Sequence, residues 1–338
     1  MTDDDPVTQA IDIHGHCVPQ AFLDEVVRSR PFGVQAELLD GRYLLTFPGG
    51  KPLRPVAGVM LDTTDRSGWL AQHQVGHQVV APWLDVHGQE LPAADGARWA
   101  RLLNDALAQS VAGGAGRFSA HATLHLADPD AAADELRRAV RELGMRSAMI
   151  PTSLPAGRLS DPGFDMLWAA AVELDVPIVV HPSTRSPVND LMASYPALNS
   201  LFGRQVDSTL TTAELIVAGV FDRFPALRLV VVHGGGFLPY QAARFDRDAK
   251  GGADSQLPSQ VVRSLYFDTV LMSAAAIRVL YDYAGPHQVL IGSDFGAAPK
   301  ERAGGQLTAA VRETGADAAT TNAVLAGNAR RLLRINEP

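Results

Sequence analysis

One cysteine, three lysines (Lys51, Lys250 and Lys300) and no apolar run near the roughly 18 residues of a membrane span mark this chain of 338 residues. Each scarcity excludes something. Cys17 cannot form an internal disulfide and belongs to no paired-cysteine zinc pattern, which fits a reducing cytoplasm. With Asp3, Asp4 and Asp5 where a secretory signal needs positive charge, the protein is expected to be soluble and untargeted. Positive charge is in short supply too: 29 Lys and Arg against 37 Asp and Glu give a formal charge of −8, no footprint for nucleic acid or an acidic membrane. A small molecule is the partner that fits.

Apolar sequence is plentiful, at 46%, and it is patterned. Short runs rich in Val and Ile fall at 10–13, 78–81, 119–124, 146–151, 176–180, 228–232, 264–269 and 288–291. Between them apolar residues recur at helical spacing, as in Trp99, Leu102, Leu103, Ala106 and Leu107, or Phe164, Leu167, Trp168, Ala171 and Leu174. Strand and helix alternating through eight units predict an α/β fold, a (β/α)8 TIM barrel occupying 1–338 as one domain; the alternative is an open doubly wound sheet. Residues 18–60 interrupt the alternation with glycines, prolines and a short run from Tyr43 to Phe47. They are expected to form an insertion with a small hairpin hanging over the barrel mouth, where it can shape a pocket. Residues 328–333 read as a closing helix.

Four of the runs end on residues that bind metals. The first leads into His14-Gly15-His16, and later ones into His181, His233 and Asp294. In a barrel of parallel strands such ends meet at one mouth. His14 and His16, two apart on an extended strand, point to one side, with Gly15 expected to leave room for the ion. Neutral imidazoles and one carboxylate suit a divalent transition metal such as Zn²⁺, and an open coordination position would hold water. Spacing does not say which four of the five ligate. A four-ligand shell frees one group for proton transfer, and Gly234-Gly235-Gly236 gives His233 room for a substrate beside it. A bridging carboxylated lysine would need Lys after the fourth strand, and the segment at 146–152 has none, so one metal ion is expected.

The sequences Ile-Asp-Ile-His-Gly-His at 11–16, Val-His-Pro at 180–182, His-Gly-Gly-Gly at 233–236 and Gly-Ser-Asp-Phe at 292–295 resemble the amidohydrolase superfamily over nearly the whole chain. The branch most similar is that of aminocarboxymuconate semialdehyde decarboxylase and the non-oxidative aromatic decarboxylases. The resemblance implies that His14, His16, His181 and Asp294 hold the metal, usually zinc, and that His233 activates its water. It also implies a substrate carboxylate bound by Arg54, in Lys-Pro-Leu-Arg-Pro-Val, and by Arg244, reaching into the neighbouring subunit of a homodimer. The chain departs from that pattern at Pro182-Ser183-Thr184-Arg185, which puts the particular substrate in doubt and adds Arg185 as a cation near the mouth.

The activity expected is non-oxidative decarboxylation of a small unsaturated or aromatic carboxylic acid. The alternative is hydrolysis of an ester, lactone, thioester or amide by the same centre. A barrel without catalysis, serving as a binding module, would be missing ligands. Other polar residues carry weaker readings. His73 and His77 are expected on one exposed helix face. His121 and His125 flank the third strand; if the run extends, His125 lies near the mouth and could touch substrate, but a hydrogen-bonded core histidine is the default reading. Trp83 lines the pocket or the core. Asp268, ending the seventh strand, faces the mouth and could orient a ligand histidine, whereas Asp12 is read as a structural hydrogen-bond acceptor. His87 and His287 receive no role.

Overall fold

The computed structural model describes residues 9–61, 63, 66–183, 185–192, 194–248, 256–296 and 305–335; Asp3, Asp4, Asp5, Thr184, Lys250 and Lys300 lie outside them. Eight strands form one sheet in the order β1 (Ala10–His16), β4 (Val75–Ala81), β5 (Phe118–Thr123), β6 (Ser147–Pro151), β7 (Ile178–His181), β8 (Leu229–Val231), β9 (Tyr266–Asp268) and β10 (Val289–Leu290). Each of the expected runs is found, and each neighbouring pair is parallel. The sheet closes on itself: Ile13 N–H donates to Ile291 O (2.8 Å) and His16 N–H to Phe295 O (2.9 Å). An open doubly wound sheet is thereby excluded, and the architecture is a (β/α)8 barrel.

Outward-facing Val80, Ala120, Ala148, Ile150, Val180 and Val231 pack with Leu107, Leu136, Leu167, Trp168 and Leu215 of the surrounding helices. Inward-facing Ile11, Ile13, Val79, Met149, Val179, Val230 and Leu290 form a second cluster, plugged from below by Ala329, Leu332 and Leu333 of the helix Asn328–Leu333. Residues of adjacent strands thus fill the barrel in layers, with the polar layer left at the top.

Two expectations need correction. β4 begins at Val75, so His77 is a strand residue and His73 follows the helix Ser67–Gln72; they share no helix face. Pairing of Ala10 with Val75 and Ile11 with His77 draws this polar stretch into the sheet, where His77 bonds Ser119 Oγ (2.8 Å). Tertiary pairing has overridden a local pattern that lacked apolar alternation. The second concerns Gly15. A Cβ there would come within 2.7 Å of the Gln78 side chain, so glycine admits Gln78 rather than a metal.

The insertion holds a helix, Gln20–Ser29, and the antiparallel hairpin of β2 (Gln35–Leu39) and β3 (Arg42–Thr46). Its two-residue turn puts Asp40 and Gly41 at φ of 49° and 73°, the paired positive values that match strand twist. Phe22, Leu23, Tyr43, Leu45 and Phe47 build a separate core with Trp83 and Trp99, fixing the insertion to the barrel. The chain then folds back along β3, with Leu53 N–H on Leu45 O and Val56 N–H on Tyr43 O (both 2.8 Å), which brings Arg54 to the mouth. Among the described residues no helix is long and apolar enough to cross a membrane.

Candidate metal centre and catalytic site

Plain alternation from inward-facing Ile11 and Ile13 would send His14 outward. Instead the pairing of β1 with β4 shifts register between Asp12 and Gly15, and His14 and His16 both turn into the barrel, fully buried. His181 ends β7, and His233 and Asp294 follow β8 and β10. His233 and Asp294 lie at φ of 56° and 53°, left-handed backbone that costs a non-glycine residue on the order of 1–3 kcal/mol. The sharp turns aim both side chains at the barrel axis.

There the five groups meet. Imidazole centroids lie 4.9 Å apart for His14 and His181, 5.2 Å for His16 and His181, and 5.3 Å for His181 and His233. Asp294 Oδ1 is 3.1 Å from His16 Nε2 and 3.4 Å from His14 Nε2, while its Oδ2 is 3.8 Å from His233 Nε2. One ligand atom from each of His14, His181, His233 and Asp294 falls within 4.8 Å of all the others. His16 touches this group through Asp294 rather than belonging to the mutually close four.

Two ring nitrogens disclose what the cluster is for. His14 Nδ1 donates to Asp268 Oδ2 (2.7 Å) and His181 Nδ1 to Pro182 O (2.7 Å), so each ring carries its proton on the outer nitrogen. Each inner Nε2 is buried and has no hydrogen bond. A buried lone pair left unmet costs about 1–3 kcal/mol, and two of them aimed beside a carboxylate are the donor set of a divalent cation. The residues therefore fit a metal. Asp268, raised from sequence as a candidate orienter, holds His14 while accepting from Gly234 N–H (3.0 Å) and Val270 N–H (3.2 Å).

Charge states follow from burial and neighbours. Burial pushes His14 down, but the Asp268 hydrogen bond and the charges of Asp294, Asp268 and Asp12 outweigh it and leave its pKa raised. Burial prevails at His16, which is lowered, and at His181, held well below the usual range by burial together with neighbouring imidazoles. Asp294 is buried, which favours its neutral form, yet hydrogen bonds from His16 and His233 keep it well below the ordinary carboxylate range. At neutral pH Asp294 is therefore an anionic carboxylate beside neutral His16 and His181.

A supporting frame lies beneath. Asp12 accepts from His14 N–H (3.0 Å), Ser293 N–H (3.0 Å), Ser293 Oγ (2.5 Å) and Gln78 Nε2 (2.7 Å). Gln78 Oε1 in turn takes Arg66 Nη1 (3.0 Å), and Arg66 Nη2 donates to His16 O. Asp12 is the structural acceptor expected; nothing in the sequence marked Gln78 or Arg66, polar residues whose role exists only once β1 and β4 are paired. His121 is likewise structural, its Nε2 on Ile13 O (2.9 Å) and its Nδ1 on Ser147 Oγ (2.5 Å).

Among the arginines, Arg54 places its guanidinium 4.1 Å from the centroid of the buried Trp83 ring, and its pKa is lowered by burial with Asp85 and Asp294 opposing. Trp83 is thus both core residue and platform. Arg185 is ion-paired with Glu90 and stands 5.8 Å from the Phe47 ring centroid. Arg244 is exposed on the helix Leu238–Asp248. A cavity of about 210 Å³ lies at the mouth, lined by Leu84, Asp85, Pro151, Leu154, Ser183 and Arg185 among others.

A family model described as amidohydrolase matches residues 11–335. The decarboxylase orsB of Emericella nidulans is 40% identical over 163 residues, 45% of this chain and 49% of that protein. The 2-amino-3-carboxymuconate-6-semialdehyde decarboxylase of Dictyostelium discoideum is 26% identical over 85% of this chain and 80% of its own length. The chain thus spans about half the length of the first relative (49%) and most of the second (80%). In fold it matches 5-carboxyvanillate decarboxylase LigW of Sphingomonas paucimobilis with a TM-score of 0.82 at 23% identity, covering 97% of this chain and 100% of that one. A dihydroxybenzoic acid decarboxylase from Polaromonas sp. JS666, solved with bound manganese, matches with a TM-score of 0.79 at 20% identity over 98% of both chains.

Proposed function

Because this chain belongs to the amidohydrolase family, we propose that it is a metal-dependent, non-oxidative decarboxylase of a small aromatic or unsaturated carboxylic acid. The observation that carries the reading is the pair of unmet Nε2 lone pairs of His14 and His181 beside Asp294, under an arginine held on Trp83. Similarity to the orsB and semialdehyde decarboxylases supports carbon-carbon cleavage over hydrolysis.

We assign His14, His16, His181 and Asp294 as ligands and leave His233 for the proton. His16 is the imidazole nearest Asp294, at 3.1 Å, and His233 lies farther off, at 3.8 Å; the glycines at 234–236 pack against Leu271, Phe267 and Gln205 O instead of leaving room for a substrate, which corrects that expectation. A divalent cation held by these residues would supply positive charge that fixes the acid's oxygens. Arg54 grips a carboxylate through its planar fork, and the Trp83 face holds the guanidinium in place. His233 delivers a proton to the carbon bearing the carboxylate; Asp294 Oδ2, 3.8 Å away, stabilises the imidazolium before transfer. The C–C bond then breaks, its electrons return to the ring or double bond, and CO₂ departs.

Three imidazoles and one carboxylate favour Zn²⁺, with Mn²⁺, the ion of the Polaromonas structure, as the competitor. We further propose that residues 1–338 act as one domain with 18–60 over the mouth, that the protein works in the cytoplasm, and that it is a homodimer. Exposed Tyr195, Leu198, Leu201, Phe202 and Tyr240 offer apolar surface for that pairing, and we assign Arg244, on the same helix as Tyr240, to the partner's mouth. Incubating zinc- and manganese-loaded protein with hydroxybenzoic acids and measuring released CO₂ tests the activity. Two fragments without CO₂ from an ester or lactone would transfer the site to hydrolysis.

A further inference from the structure

Where the insertion returns to the barrel, it meets a buried cation. Its last turn, Gly58–Met60, lies against the end of β1: Val18 N–H donates to Met60 O (2.8 Å) and Gln20 N–H to Leu61 O (3.1 Å). Arg66 follows, capping the helix Ser67–Gln72, and is 2% exposed. Its Nη2 donates to Val59 O (3.3 Å) and to His16 O, and its Nη1 to Gln78 Oε1 (3.0 Å). The guanidinium carbon stands 4.6 Å from the centroid of the Phe295 ring, which Trp69 of the same helix also packs against, at 4.5 Å between centroids.

These contacts join separate parts of the molecule. His16 belongs to the cluster at the mouth and Phe295 adjoins Asp294, and the two are bonded to each other through His16 N–H and Phe295 O (2.9 Å). Val59 belongs to the stretch that carries Arg54, the stretch whose Leu53 and Val56 N–H groups bind β3. A guanidinium holds its donors in fixed directions and stacks on a ring, so a shift of His16 or Phe295 passes to Val59 O, where a flexible ammonium would absorb it. A second route runs through Met60, which packs on Gly296: a Cβ there would come within 2.8 Å of Met60 Cγ and 3.6 Å of His16 Cβ.

We propose that Arg66 is a positioning residue that couples the metal centre to the insertion over the mouth. An ion held beside His16 and Asp294 stiffens the partners of the guanidinium, and the guanidinium steadies the stretch that presents Arg54. Such coupling is reciprocal, so a steadied insertion also favours the ion. The coupling rests on the metal reading of the centre and is independent of the reaction performed there.

The test is hydrogen–deuterium exchange of the peptide 53–61 in the full chain, with and without saturating zinc, for the unsubstituted protein, Arg66→Lys and Phe295→Leu, each checked by thermal melting. In the unsubstituted protein zinc should slow exchange there by about 5-fold or more, the low end of coupling between sites, and leave the helix Asn328–Leu333 at the barrel bottom unchanged. In Arg66→Lys the two rates should agree within about 2-fold, because local opening of the segment no longer senses the ion, and Phe295→Leu should lose part of the slowing. A residue that only props the fold would speed exchange in both states and leave the zinc-dependent ratio intact, as would transmission through Met60 alone. That intact ratio in Arg66→Lys, or zinc bound by the unsubstituted protein without protection of 53–61, overturns the coupling. Should Arg66→Lys fail to fold, undiminished slowing in Phe295→Leu overturns it instead. An unsubstituted protein that takes up no zinc removes the metal reading and the coupling with it.

Discussion

Replacing Asp268 with Asn changes no volume to speak of, yet it should cripple metal binding. In the native protein Asp268 Oδ2 can only accept, so His14 Nδ1 must carry the proton and Nε2 keeps its lone pair for the ion. An Asn at 268 would accept from Gly234 and Val270 through Oδ1 as before and present its amide N–H groups to His14. Nδ1 must then become the acceptor, which moves the ring proton to Nε2, the atom that has to ligate. Restoring the working tautomer sets donor against donor at 2.7 Å in a site with both side chains fully buried. Losing such an outer partner costs 10–100-fold in metal affinity, about 1.4–2.7 kcal/mol. Competition titration with a chromophoric chelator measures this directly.

The pH dependence carries the same signature. His14 has a raised pKa in the metal-free fold, so an ion must displace a proton from it over the range above 6.5, and apparent affinity should climb with pH there. By linkage, the stability His14 gives the metal-free fold is complete below its unfolded value near 6.5 and is lost as pH rises through the folded value. Asp268→Asn should abolish both trends. A variant that binds zinc within 2-fold of the native protein, with the same pH slope, would refute the tautomer argument.

Further outcomes follow from the same geometry. His233→Gln should keep about one metal per chain while the rate falls on the order of 10²–10⁴-fold, and His16→Gln should lose the metal; the reverse pattern in metal analysis exchanges the two roles. Arg54→Gln should raise KM for a carboxylate substrate by roughly 10-fold or more, and equal kinetic constants would remove it from the substrate site. Buried His121 and His87, lowered to about 4 and about 3, must pick up protons on unfolding, so the stability they give is present above pH 6.5 and drains away as pH falls towards 4. His121 alone accounts for roughly 3 kcal/mol of that loss, and a urea midpoint that is flat from pH 7 to 4.5 would contradict it.

How much of this could be read from sequence depended on whether a role was local. All eight barrel strands announced themselves as apolar runs bounded by helical spacing, because parallel strands are buried on both faces. The five polar groups gathered at the mouth were legible for the same reason, since each stands at the end of such a run. His77 was hidden because its stretch is polar and becomes strand only by pairing with β1. Arg66 and Gln78 carried no signal at all: their partners Asp12 and His16 are distant in the chain, brought close only once β1 and β4 pair. Gly15 shows the opposite failure, in which a correct feature suggested the wrong cause.

The left-handed conformations of His233 and Asp294 share one kind of support. Each costs on the order of 1–3 kcal/mol, and each persists because a buried aspartate clamps the adjoining residue. Asp268 holds Gly234 N–H beside His233, and Asp12 holds Ser293 through both backbone and hydroxyl beside Asp294. The same two aspartates also fix His14, one through its ring and the other through its backbone N–H. Two carboxylates that coordinate nothing thus set the position of three of the groups around the cation. A change at either aspartate should therefore disturb the centre as a unit, so that losses from Asp12 and Asp268 substitutions combine by less than their sum.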